Sequence, residues 1–189
     1  FFKLCKEYMD HGHENNPKFP RGRDTHRIPG FNFRPTEFTG IIGLVQLKKI
    51  GKIIKNNKFY FQFYIKLLKK YKGINLRKIP NKNKPLNDCV IFNFTNEKLA
   101  KTFVKKLNEN NLVTKNVPDA IEWHYAMYWD HIFKLFGLNK SKLKQKLKKS
   151  SYILNRSVSL PIFANEKIGK VKNKIKIIKF ILDKMLKNE

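Results

Sequence analysis

The chain has 189 residues and carries 41 lysines and arginines against 14 aspartates and glutamates, a formal net charge of +27. Hydrophobic residues at 41% and aromatics at 13% are enough for a packed core and exclude a disordered polyelectrolyte, and no apolar run approaches the roughly 20 residues of a membrane span. Arginine stands only at positions 21, 23, 27, 34, 77 and 156. The remaining excess is lysine scattered through an Asn-, Ile- and Phe-rich sequence, which reads as codon bias and a solvated surface rather than a nucleic-acid site.

In chain order, residues 1–10 read as the end of a helix, with Leu4 and Tyr8 on one side. The start at Phe1 lacks an initiator Met and has charges where a signal peptide would be apolar. Residues 11–35 form a long loop rich in Gly, Pro, His and Arg; loops of that length inside a domain are more often functional. Four of the six arginines fall between Arg21 and Arg34. In a lysine-drifting composition, such a cluster points to sites that need the planar guanidinium fork for a carboxylate or phosphate. Pairing with Asp24 and Glu37 is the plainer alternative.

A long helix is predicted from about Pro35 to Tyr71, since proline suits a first helical position and Phe38, Ile41, Ile42 and Val45 form an apolar stripe. Gly40 and Gly43 lie inside it, each costing about 1 kcal/mol relative to Ala, and imply close approach of another backbone. Beyond Gly73 the pattern becomes compact α/β. Strands are predicted at 88–94, at Leu112-Val113-Thr114 and at 157–161. A helix is predicted from Glu97 to Asn110 with Leu99, Ala100, Phe103, Val104 and Leu107 inward. Aromatics and His124 and His131 cluster between Pro118 and Phe136, where the histidines read as core or interface residues. A last helix carries Ile168, Val171, Ile175, Ile178, Leu182 and Met185 at three-four spacing and is expected to cap the small domain.

Cys5 and Cys89 are too far apart in sequence to suggest a disulfide framework, and a reducing cytoplasm is the default expectation. No Gly-rich phosphate loop, Cys-x-x-Cys pair or His-Glu-x-x-His is present. Cys5, His11 and His13 lack a fourth ligand at suitable spacing, so no metal site is predicted.

The segment Gly30-Phe31-Asn32-Phe33-Arg34-Pro35-Thr36-Glu37-Phe38, followed by Gly43-Leu44-Val45-Gln46-Leu47, resembles the Gly-x-Asn-x-Arg-Met-(Thr/Ser)-Glu…Gly-x-x-Gln-Leu signature of the DegT/DnrJ/EryC1/StrS sugar aminotransferases. Asp10-His11-Gly12 is similar to that family's Asp-His-Gly, and Ser159-Leu160-Pro161 to the end of its last strand. The match runs in order along nearly the whole chain, with Pro35 replacing the usual Met. The string from His11 to Thr25, with Asn116 to His124, looks most like the branch that aminates the 8-position of a Kdo-type octulosonate of lipopolysaccharide.

The resemblance implies an α/β fold: the C-terminal part of a fold-type I pyridoxal-phosphate transferase. Residues 1–35 would be the tail of the large cofactor-binding domain, 36–72 a linking helix and 73–189 a small α/β domain. It implies pyridoxal phosphate as cofactor, glutamate and a keto-sugar as substrates, and a homodimer in the cytoplasm. Asn32 would bind the cofactor phosphate of the neighbouring subunit, and Arg34 the phosphate or a substrate carboxylate. His13, Arg21 and His124 would contact substrate. The cofactor-bearing lysine lies upstream of Phe1 in the family, so none of the lysines here is nominated and the chain is expected to be inactive and poorly soluble alone. Three rival readings are a sugar 3-dehydratase of the same family, with His in place of that lysine, a basic nucleic-acid-binding protein, and a degenerate remnant that is non-functional or one partner of a split enzyme.

Overall fold

Two structural units, residues 1–50 and 51–189, make up the computed structural model, which describes every residue except 21–22, 34, 81–84 and 187–189 and the side chains of 122 and 123. Among the described residues no helix is long and apolar enough to cross a membrane.

The first unit begins with helix α1 (Phe2–Met9). It ends because His11 turns to φ 57° and the Gly12 N–H reaches back 2.7 Å to the Glu7 carbonyl, the six-to-one bond of a Schellman terminus. The loop then returns to this helix end. Phe31 N–H donates to the Tyr8 carbonyl at 2.8 Å, Phe33 N–H to Met9 at 3.0 Å, and His11 N–H to Phe31 at 3.1 Å.

Helix α2 (Glu37–Leu68) follows, 32 residues long, close to the span that the sequence predicts. Its first turn is satisfied by Thr36, whose hydroxyl accepts from Thr39 N–H at 3.2 Å, the arrangement that favours Thr before a helix. The apolar stripe of its first half is exposed, with Phe38 at 74% and Ile41 at 62%. A Cβ at Gly40 or Gly43 would meet nothing within 4 Å. The close approach expected at these glycines is therefore not made among the described residues.

In the second unit, strands β1 (Ile74–Leu76) and β2 (Cys89–Phe94) precede helix α3 (Glu97–Glu109); short helices α4 (Ile121–His124), α5 (Asp130–Leu135), α6 (Lys140–Lys146) and α7 (Lys148–Leu154) lead to strand β3 (Ser157–Pro161) and helix α8 (Ile168–Leu186). The sheet is antiparallel in the order β1-β2-β3. Along β2 the period-2 pleat buries Val90, Phe92 and Phe94 and leaves the residues between them half-buried. The register Val90↔Leu160 and Phe92↔Val158 puts the inward apolar side chains of both strands on one face.

Against that face α3 lays Ala100, Phe103 and Leu107. The Phe103 ring lies 5.9 Å from that of Phe92 and 5.3 Å from that of Phe94, within the range of favourable aromatic pairing. Asn96 starts α3, its side chain accepting from Leu99 N–H at 2.9 Å. Val171, Ile178, Ile181 and Leu182 of α8, and Tyr60, Tyr64, Leu67 and Leu68 of the end of α2, complete the core. The capping role expected of the last helix is the one it plays.

Two of these expectations are corrected, and one strand is added to them. No strand forms at Leu112–Thr114, because Asn111 and Asn116 take φ of 56° and 63°, which interrupts an extended run. Only the next residues reach β3, through Lys115 N–H to Ser159 O at 2.8 Å and Ser159 N–H to Val117 O at 2.9 Å. β1 goes unpredicted because three residues are too few to display alternation. His124 and His131 are both exposed, which overturns the core reading of them and not the interface one; a 3₁₀ turn at Ala126–Tyr128 separates α4 from α5 and breaks any shared helical face.

Candidate functional site

The loop from Asp10 to Phe33 is held by two glycines that nearly touch. A Cβ on Gly30 would stand 2.1 Å from the Gly12 nitrogen and 2.8 Å from the Glu7 carbonyl oxygen, and one on Gly12, at φ +84°, would stand 2.3 Å from the Ile28 carbonyl oxygen. Only glycine allows this backbone crossing. It explains in physical terms why Asp-His-Gly and the glycine two residues before Asn32 occur together.

The crossing sets the direction of Asn32. Asp10 and Asn32 form an antiparallel bridge, so Asn32 is fixed on the strand-like segment that pairs with the helix end, and it is exposed. Asp10 is buried, and its carbonyl accepts from His13 N–H at 3.0 Å. One residue thus ties His13 and Asn32 to the same turn. Asn32 is an exposed residue on a fixed backbone five positions ahead of α2, and a carboxamide is the type of group that can donate to one oxygen of a phosphate.

Below the loop, Glu7 is 1% exposed and is met by the Arg27 guanidinium, whose Nε donates to Oε2 at 3.3 Å while a terminal nitrogen donates to Oε1. The hydrogen bond to Glu7 raises the Arg27 pKa above its ordinary value. Arg27 therefore pairs with Glu7, not with Asp24 or Glu37 as the plainer sequence reading has it. A carboxylate this buried without a partner would be costly, so the pair staples the loop to α1.

His13 is the other organised position. Its Nδ1 lies 3.0 Å from Asp24 Oδ1, and Asp24 Oδ2 accepts from Asn15 N–H at 2.8 Å. The hydrogen bond from His13 first, and that backbone N–H, hold the Asp24 pKa down at about 2. The carboxylate orients the imidazole, as an acceptor on one ring nitrogen does. His26 lies alongside, its ring centroid 4.5 Å from that of His13. Cys5 is exposed on α1 and takes no part in this group.

Of the residues singled out in the sequence, the structure brings His13 and Asn32 to one turn. His124 is an exposed residue of α4 in the second unit. Arg21 and Arg34 lie outside the described residues. Sequence reasoning missed Glu7, Arg27, Asp24 and His26 as site-building residues. The only signal was the loop's density of charged and imidazole groups; which of them meet depends on the register of the returning chain.

The sequence profile of the DegT/DnrJ/EryC1/StrS aminotransferase family matches residues 2–179. Among solved structures, the chain is similar to Helicobacter pylori PseC, an aminotransferase involved in the biosynthesis of pseudoaminic acid, with 20% identity and a TM-score of 0.69 over 95% of this chain and 45% of that one. It is similar also to an aminotransferase from Psychrobacter cryohalolentis, with 14% identity and a TM-score of 0.72 over 97% of this chain and 49% of that one. A third is the PLP-form of Spr1654 from Streptococcus pneumoniae, with 14% identity and a TM-score of 0.69 over 96% of this chain and 43% of that one. The chain spans a little under half the length of each of these structures and corresponds to the C-terminal portion of their α/β fold.

Proposed function

The chain belongs to the DegT/DnrJ/EryC1/StrS aminotransferase family, whose enzymes depend on pyridoxal phosphate, and on that premise we propose that it supplies the C-terminal half of an enzyme moving an amino group from glutamate to a keto-sugar. The finer reading is an 8-keto octulosonate of the Kdo type in lipopolysaccharide sugar synthesis, in a cytoplasmic homodimer. The observation that carries the proposal is the Gly12–Gly30 crossing, which fixes the Asp10–Gly12 turn against the segment bearing Asn32.

When bound, pyridoxal phosphate supplies an electron sink for breaking the donor's Cα–H bond. The residues of this chain bind and orient. The Asn32 carboxamide donates to the phosphate of the cofactor held by the neighbouring subunit, and Arg34 adds a positive charge two positions on. His13, its Nδ1 fixed by Asp24, presents its other nitrogen to a hydroxyl or carboxylate of the sugar. Arg21 and His124 are further substrate contacts, with the Arg21 fork suited to a carboxylate. Holding both reactants in place accounts for a large part of the rate in such reactions.

The first test is to read the coding sequence upstream of the Phe1 codon. A frame continuing into a cofactor-lysine motif supports an aminotransferase. A histidine there moves the reading to a sugar 3-dehydratase of the same family, and a stop codon with a nearby start reduces it to shared ancestry. In the continued protein, Asn32→Ala should weaken pyridoxal phosphate binding on the order of 10- to 100-fold, the worth of one hydrogen bond to a charged group. Unchanged affinity would remove Asn32 from the site.

A further inference from the structure

The returning loop gathers three ligand-type side chains around one isolated β-bridge. His13 and His26 form an isolated antiparallel bridge, Glu14 N–H donates to the Thr25 carbonyl at 3.3 Å, and the chain turns on either side, with Asn15 at φ 54° and a bend at Asp24. Side chains directly opposite in an antiparallel pair share a face. His13 and His26 therefore project to the same side, and the bend at Asp24 brings its carboxylate to His13.

The atoms agree with this placement. One ring nitrogen of each histidine and one carboxylate oxygen of Asp24 all lie within 4.8 Å of one another. His13 Nδ1 and Asp24 Oδ1 are already 3.0 Å apart, and ligands on neighbouring corners of one ion, with bonds of roughly 2.0–2.2 Å, stand about that far from each other. The second Asp24 oxygen is held by Asn15 N–H at 2.8 Å, the outer support that metal-bound carboxylates typically have. The Asp24 side chain is 2% exposed and that of His13 17%, while His26 is exposed, so an ion can enter from the His26 side.

We propose that His13, Asp24 and His26 form a binding site for Zn²⁺ or a divalent transition metal of similar preference. Two imidazoles and one carboxylate select such an ion over Mg²⁺ or Ca²⁺, which prefer all-oxygen shells. Three protein ligands leave positions open for water or an anionic ligand. With the ion on Nδ1 of His13, Nε2 remains a donor, so the site neither requires the aminotransferase reading nor conflicts with it.

The test is a Zn²⁺ titration of the full 189-residue chain, stripped with EDTA, in competition with a chromophoric chelator, with Co²⁺ as a spectroscopic probe. The expected result is one equivalent bound at micromolar or lower free Zn²⁺, with inner-sphere Co²⁺ absorption in the visible. His26→Ala should weaken binding by at least about 10-fold and abolish the Co²⁺ bands. This exposed substitution should leave the fold intact, as read by circular dichroism. Asp24→Asn, which preserves the side-chain size and the acceptor for Asn15, should weaken it likewise, while Cys5→Ser and His124→Ala should leave it unchanged. No binding at about a hundred times the expected Zn²⁺ concentration would overturn the proposal. So would binding that survives both His26→Ala and Asp24→Asn, because the ion would then sit elsewhere.

Discussion

The two units of this chain are held together by opposite means. In residues 51–189 the buried set is a continuous apolar cluster centred on Phe92, Phe94, Phe103 and Leu182. In residues 1–50, among the described residues, the buried side chains beyond glycine are Glu7, Asp10 and Asp24, while Phe1, Phe2, Phe19, Phe31, Phe33 and Phe38 are all exposed. The second unit follows the ordinary rule that burial of apolar area dominates. The first relies on the Schellman turn, the glycine crossing, the Glu7–Arg27 pair and the His13–Asp24 hydrogen bond. A polar-stapled loop can be placed accurately without a core beneath it, but its stability depends on protonation states and on a few backbone positions that tolerate no side chain.

The sharpest way to break this contrast is Phe92→Ala. The side chain is fully buried between β3 and α3, so its loss should cost about 3–5 kcal/mol, read as a fall in the denaturation midpoint. Phe31→Ser, at 54% exposure, should change the same midpoint by less than about 0.5 kcal/mol. Similar effects from the two substitutions would mean that the apolar side chains of the first unit carry stability after all.

A smaller effect is expected at Gly12. Gly12→Ala forces an L-residue to φ +84° and a Cβ to 2.3 Å from the Ile28 carbonyl oxygen. The conformational part alone costs roughly 1–2 kcal/mol. Limited proteolysis should then cut residues 11–33 faster while the transition of the second unit stays in place.

The pH response should divide the units too. Asp24 is depressed from 3.8 to about 2, so its contribution is complete above pH 3.8 and is lost as pH falls toward 2. Proteolytic opening of the loop should follow that window, and a loop still closed at pH 2 would argue against the His13–Asp24 staple. Tyr64 in the core is raised from 10.0 to about 12 by burial first and by Glu166 second. Its contribution is complete below pH 10 and is lost as pH rises toward 12, so alkali should unfold the second unit. The smallest change concerns the exposed face of α2. Leu44→Lys, at a side chain 67% exposed, should raise the monomer fraction in light scattering with little change in either transition. A wild-type chain already monodisperse as a monomer would show that this face is not sticky.

How far the sequence carries can be judged from single elements. The helices 37–68, 97–109 and 168–186 are legible from their apolar spacing, although the first begins at Glu37 behind Thr36 and not at Pro35, and β2 is legible as a short run rich in Val, Ile and Phe. Asp10-His11-Gly12 and Gly30 to Glu37 identify the family because glycine there is a steric requirement that substitution would break. What the sequence does not carry is who meets whom. Leu112–Thr114 has strand composition but sits between two positive-φ asparagines, and the aromatic stretch around His124 has core composition but breaks into short helices that bury Phe133 and leave His124, Tyr128 and Trp129 exposed. Arg27 could have faced any of several carboxylates, and its choice of Glu7 depends on where the loop returns. His26 is silent in the sequence for the same reason. It lies thirteen positions from His13, and only the antiparallel register, set by the glycine crossing and the backbone bonds of 31–33 to α1, brings it to the same face. Sequence alone determined the three long helices, strands β2 and β3, the inward faces of α3 and α8 and the ancestry, since these follow from local periodicity and steric requirement. The tertiary structure decided the pairings within the loop, because hydrogen bonds and ion pairs depend on distances that spacing along a chain does not contain.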